Sequence, residues 1–445
     1  MQNKTDSIRR WLQSSAFLRV LFIGFVILVL QIPIGMIGSQ IDERQMTRNQ
    51  AFNDITDKWG KQQTLIGPRL VVPYFEINSW KNQSGVLEQT KKLCYAVFLP
   101  ESLDVMADVK NGIRYRGLFE VPVYQMSLVL NGVFTKPSFE QWSVDPQLIL
   151  WDKAQLLVGV SDTRAIQKQS RIKWNDKQYK LEPGLGKSDM AAPGFHVPQL
   201  DLTKADSFAF NIPMTLNGSA GIYVAPTAED TQIAITSNWP DPSFNGYKLP
   251  TMRKVNAKGF SASWSIAYIS RNYPQQWLAH EFDNNQFRQS LVGVDFISPV
   301  DNYRMVERSS KYVMLFLLLT FVAIWLIEIL ARLRIHLLQY LLLGLGMCLF
   351  YLLLLALSEH IGFLWAYVSA SIAVVLMTTL YCKAVLKTAK RATLIGVGIS
   401  ILYVYLFSLL QEQNYSLLFG SLGVFLVLAI VMYVTRNIDW DNLRK

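Results

Sequence analysis

Apolar residues follow two rhythms along this chain. Six long unbroken runs, at 17–37, 312–330, 337–357, 361–382, 393–410 and 416–434, contrast with a middle region of short alternating segments. A helix needs roughly 20 apolar residues to cross a bilayer, so these runs predict six transmembrane helices. After the first run, Phe52, Ile55 and Trp59 recur at helical spacing. That predicts a helical stalk over about 40–62 continuing outward, ended by Gly67-Pro68. Beyond it come β-rich runs parted by turn residues, among them 70–75, 94–99, 123–134, 147–151, 207–216, 221–225, 231–236 and 259–270. Ala262, Trp264, Ile266 and Tyr268 share one face of the last run. The expected fold is a membrane protein of six α-helices with a large β-rich extracytoplasmic domain, 38–311, inserted between helices one and two. Within that domain the pattern suits an antiparallel β-sandwich or two fused β-subdomains.

Basic residues orient the helices. Lys4, Arg9, Arg10 and Arg19 precede or open the first; Arg332 and Arg334 lie between the second and third. Lys383, Lys387, Lys390 and Arg391 lie at the link from the fourth to the fifth, and Arg436, Arg444 and Lys445 follow the sixth. The alternate links, 358–360 and 411–415, carry no Lys or Arg. All four basic segments fall on one side when residues 1–16 and the tail 435–445 are cytoplasmic. The first run is longer than a signal-peptide core and lacks a clean cleavage site after Ile37, so it is expected to stay as an anchor.

Composition refines this picture. The chain has 445 residues, 51% hydrophobic, with a formal charge of +10. That charge does not indicate nucleic acid, because much of it lies in the short loops that set orientation. The lipid bilayer is the partner the sequence demands. Of three cysteines only Cys94 lies in the external region, so that domain is expected to hold no internal disulfide.

Candidate chemistry is sparse. Gly184–Ser188 reads GLGKS but has Leu181 where a phosphate loop needs its first glycine. His280-Glu281 lacks the second zinc histidine, since Asn284 stands there, and no metal or cofactor is expected. The near-elbows GFSAS and GVSDT lack a closing glycine. The loop SNWPDPSFNGYKLP, 237–250, displays Trp239, Phe244 and Tyr247 among prolines. Such rings grip sugars or peptides, or plug the end of a sandwich. In the helices, Glu328 and Arg332 stand i,i+4 and predict a local ion pair at the inner interface. Glu359 and His360 lie between two apolar runs, where Ser358–His360 predicts an outer turn. There Glu359 is expected to pair with a basic residue of the returning segment 298–311. No charge sits near a helix midplane, which argues against an ion-coupled transporter. Tyr340, Trp365, Tyr367, Tyr381 and Tyr415 suit an interfacial aromatic belt, and Gly344, Gly346, Ala366 and Ala370 suit close helix packing.

Several segments resemble the inner-membrane protein CreD family: LIGPRLVVPYFE (65–76), FLPESLDV (98–105), VSDTRAI (160–166), LEPG (181–184), GFHVP (194–198), TSNWPDPSFNGYKLP (236–250) and the block from 298 through GF at 362–363. The resemblance covers nearly the whole chain and weakens in the last two helices. It implies a bacterial inner-membrane protein under a two-component regulator, linked to cell-envelope integrity and stress. It implies no established enzymatic activity and brings no catalytic residues. The expected function is therefore non-enzymatic, with the periplasmic domain binding an envelope glycan, a peptide or a membrane-protein partner. The alternative is a membrane-anchored enzyme acting on cell-wall or lipid substrates at the outer leaflet.

Overall fold

The computed structural model describes residues 16–81, 87–167, 171–186, 193–283, 285–296, 302–330, 335–411 and 416–436. The chain divides into two compact units. One is helical, Met1–Asn49 with Val300–Lys445; the other is Gln50–Pro299.

In the helical unit, α1 runs Ala16–Trp59 and its last turns, from Gln50, belong to the other unit. Its 44 residues make a rod of about 66 Å, roughly twice a hydrocarbon core. The expected stalk is thus one helix with the first span. It stops at Gly60, whose φ of +135° suits glycine and whose N–H bonds back to Thr56. Gly67-Pro68 does not end it. That pair lies inside the first strand, where the ladder shifts register between Ile66 and Arg69.

The later helices, numbered after a short α2 (Asn285–Gln289) in the other unit, are α3 (Asn302–Ser310), α4 (Val313–Leu330), α5 (Leu337–Leu386), α6 (Ala389–Gln411) and α7 (Ser416–Thr435). Among the described residues, three helices are long and apolar enough to cross a membrane, or four if α3 and α4, bent by 44°, count as one span. α5 is not one rod. Phe350 and Tyr367 bring their ring centroids within 5.3 Å, although 17 residues of straight helix would part them by about 25 Å. The chain doubles back at Gly362, which has φ 76° and ψ 163°. Residues Ser358–His360, where a turn is expected, are still helical, and the reversal falls two residues on at Gly362. Small residues let the helices approach: a side chain on Gly344 would strike Leu30 and Phe321, and one on Gly346 would strike Met377. Tyr340 and Tyr367 turn inward rather than join a belt. Their hydroxyls donate to Glu328 and to the Tyr403 carbonyl, whereas Trp365 is exposed.

The other unit holds two sheets over a shared core. The first is ordered β13 (Pro242–Gly246), β17 (Val292–Phe296), β11 (Gly221–Val224), β1 (Gln63–Lys81), β5 (Ala154–Val160), β9 (Gly194–Leu200), β8 (Glu182–Pro183). Beside β1 lies β2 (Leu87–Phe98), which also pairs β16 (Gln276–Leu278). The second is ordered β14 (Met252–Asn256), β15 (Gly259–Ala267), β12 (Asp230–Ser237), β3 (Ser102–Arg116), β4 (Phe119–Thr135), β10 (Ser207–Ser219), β6 (Arg171–Trp174), β7 (Lys177–Lys180). Two pairings, β1 with β11 and β12 with β3, are parallel, so the unit is mixed rather than antiparallel. Alternation produces it: every second residue of β12 is buried, and in β15 Ala262, Trp264 and Ile266 point inward. The strand ends at Ala267, which leaves Tyr268 exposed. The apolar run 147–151 forms tight 3-10 turns instead of a strand, with only Ile149 bridging to Tyr74. Cys94 is a free, buried thiol.

Candidate functional site

The stretch around Glu359 draws three helices together. Glu359 and Ser358 end the first arm of α5, Tyr303 and Asn302 begin α3, and Arg44 and Arg48 stand one turn apart on α1. Tyr303 donates its hydroxyl to Glu359 Oε1 at 2.9 Å, and Arg44 Nε lies 3.7 Å from the same oxygen. The Arg48 guanidinium sits 5.9 Å from the Tyr303 ring centroid, and Asn302 donates to the Ser358 carbonyl at 3.3 Å. The Glu359 side chain is 8% exposed and that of Arg44 is 49% exposed. One carboxylate thus collects a phenol and a guanidinium from two other helices. Burial first, and then the neighbouring carboxylate, push the Tyr303 phenol well above its ordinary pKa, so it stays a donor.

Beside the pairing expected with a basic residue of segment 298–311, Glu359 has these contacts to a phenol and to an α1 guanidinium. The returning segment supplies a neutral phenol, and the guanidinium comes from α1. Lys311 of that segment pairs with its own Glu307 at 2.9 Å, and Arg308 donates to the Leu409 carbonyl. His360 faces outward and is exposed. A charge-assisted O–H···O⁻ bond with one cation beside it is a clasp.

At the other end, Glu328 is buried and accepts from the Ile335 amide at 3.1 Å and the Tyr340 hydroxyl at 2.9 Å. Its expected partner Arg332 lies outside the described residues. Glu328 thereby closes the link from α4 to α5.

In the β unit the three loop aromatics separate. Trp239 packs on the core with its ring edge toward Phe296, and its Nε1 donates to the Asp241 carbonyl at 3.1 Å. Phe244 stands edge-on to Phe260 and Trp264, at 5.5 and 6.0 Å. Trp239 and Phe244 are half-buried, and Tyr247 is 38% exposed. The first two rings pack, partly buried, against the core. His196 on β9 is buried and bonds the Gly184 carbonyl through Nδ1 at 2.8 Å. Lys187, Ser188 and Asn284 lie outside the described residues.

Sequence reasoning missed the small core on the outer face of the first sheet. Tyr273, Trp277 and Phe287 cover Val71, Val97 and Leu157 there. Buried Arg271 holds this cover down, donating to the Pro226 carbonyl and to Gln275 while lying 4.9 Å from the Tyr273 ring centroid. The aromatic spacing of residues 273–287 was the available signal. It also missed the exposed strand β14, although the charges there are plain in the sequence.

The helices and the two sheets together define an apolar-helix membrane protein with a large β-rich unit. Comparison with known proteins places it further. The family model for inner membrane protein CreD matches residues 15–441. Inner membrane protein CreD of Escherichia coli (strain K12) is 31% identical over 433 residues, covering 96% of this chain and 94% of that protein. The chain belongs to the CreD family of inner membrane proteins, and it is an envelope-associated membrane protein.

Proposed function

We propose that this chain is a six-span, non-enzymatic envelope protein whose β unit stands in the periplasm and binds an envelope component or a protein partner. Both termini are cytoplasmic in this reading, and residues 38–311 lie outside. The basic loops on one side of the expected helices support that orientation. The reversal at Gly362 supports counting α5 as two spans. With α1, α4, α6 and α7 the number is then six. Glu359, Tyr303 and Arg44 lie at the outer interface, where the clasp steadies the helical base; Glu328 holds the inner end.

The observation that carries the binding role is where the β unit keeps its side chains. Its interior is filled by one packed aromatic and aliphatic core, including Trp264, Tyr124, Phe134 and Phe208. A filled sandwich offers function through its edges, ends and loops. To test this, the full-length protein in nanodiscs is presented to panels of peptidoglycan fragments, lipopolysaccharide fragments and envelope-protein peptides. Saturable retention with the probe recovered unchanged is the expected result. Conversion of any probe into product would instead establish the enzyme reading.

A further inference from the structure

We propose that the free edge of β14 is a docking site for an extended acidic segment of a partner protein, which adds to the second sheet as a further strand. This rests on the binding role proposed above and gives it a place and a chemistry.

β14 ends its sheet. It pairs with β15 on one side, and among the described residues no strand pairs on the other. All five of its residues are exposed, unlike the alternating strands beside it. Met252 is 72% exposed and Val255 49%. An edge of this kind presents unpaired N–H and C=O groups, which is the template used in strand addition.

Charge selects the occupant. From Pro242 to His280 the chain carries Lys248, Arg253, Lys254, Lys258 and Arg271, and no Asp or Glu. Arg253 and Lys254 project from the edge strand itself. The neighbouring positions on β15, Ser261 and Ser263, are uncharged.

Lysine on an edge commonly serves to keep strands apart, and here it does so for copies of this chain. Reading Met252, Arg253, Lys254, Val255, the pattern is apolar, basic, basic, apolar. Two copies pairing edge to edge, parallel in register or antiparallel about the centre, would set basic residue against basic residue. Like charges directly opposite are destabilising. An acidic strand meets the opposite condition.

The register then specifies the partner. Arg253 and Val255 lie on the face of Ala262 and Phe260, and Met252 and Lys254 lie on the face of Ser263 and Ser261. Each face offers one cation and one apolar side chain. The complementary segment is two adjacent carboxylates flanked by apolar β-formers, such as Val-Glu-Glu-Val. This pattern is the same read in either direction, so it serves parallel and antiparallel addition alike.

The experiment uses the full-length protein in nanodiscs of neutral lipid and a fluorescent peptide with Val-Glu-Glu-Val in a threonine frame. Anisotropy should show binding that weakens with salt. The same composition reordered as Glu-Val-Val-Glu should bind at least about tenfold more weakly, since it sets carboxylates opposite Met252 and Val255. The double variant Arg253→Glu, Lys254→Glu should lose the acidic peptide and gain one bearing Val-Lys-Lys-Val. That gain shows that the altered edge is still folded. Equal binding of the two acidic peptides, or none by either, overturns the docking site. So does binding of wild-type nanodiscs to vesicles containing phosphatidylglycerol with no response to peptide, which would make the edge a membrane contact. If the panels yield an envelope ligand that the double variant still retains, the edge proposal fails and the binding role stands.

Discussion

Trp264→Ala is expected to lower the stability of the β unit by about 3–5 kcal/mol, the usual cost of truncating a large buried aromatic. Trp264 is 1% exposed and sits edge-on to Phe244. Its Nε1 donates to the Lys248 carbonyl at 3.1 Å, so the substitution also strips a bond from the loop that joins the two sheets. Tyr247→Ala, in the same neighbourhood but partly exposed, should cost under about 1 kcal/mol. Denaturant unfolding of the full-length protein in detergent, followed by loss of protease resistance in the β unit, separates the two. Equal, small losses would mean that Trp264 is not seated in the core as described.

Glu359→Ala is the second large effect, expected at about 1–3 kcal/mol in the helical unit. The cost comes from what is left behind. The Tyr303 hydroxyl, mostly buried, loses its acceptor, and Arg44 loses its carboxylate. Tyr303→Phe should cost less, about 1 kcal/mol, because the carboxylate keeps Arg44. Spin labels at Thr47 on α1 and at Ile361, both exposed, report the clasp directly. Their distance distribution should broaden in Glu359→Ala and change little in His360→Ala, since His360 already faces outward. An unchanged distribution in Glu359→Ala would show that packing alone holds these helices.

The sequence and the structure agree where a single physical rule dominates. The long apolar runs fall in helices, and alternation gave β12 and β15. They part where long-range contacts decide. No local signal distinguishes Gly67-Pro68 as a helix stop from Gly67-Pro68 inside a strand; its pairing with β5 decides that. The turn expected at Ser358 moved to Gly362 because only that glycine takes a positive φ freely. Glu359 could be picked out as a polar group in an apolar setting, but its partners could not. Tyr303 lies 56 positions away and Arg44 far earlier in the chain. For the aromatic loop, sequence left plug and display open; Trp239 and Phe244 pack partly buried against the core, a contact that depends on residues far along the chain such as Phe296.

The central claim is that the β unit faces outward from a base whose basic links face the cytoplasm. Single cysteines at Lys254 on the β14 edge and at Lys387 between the expected fourth and fifth spans test it, in a chain whose own Cys94, Cys348 and Cys382 are replaced by serine. Cells with a permeabilised outer membrane are treated with a membrane-impermeant maleimide. The account predicts labelling at position 254 before lysis, and labelling at 387 only after lysis. Labelling at 387 from outside, with 254 reached only after lysis, would contradict it.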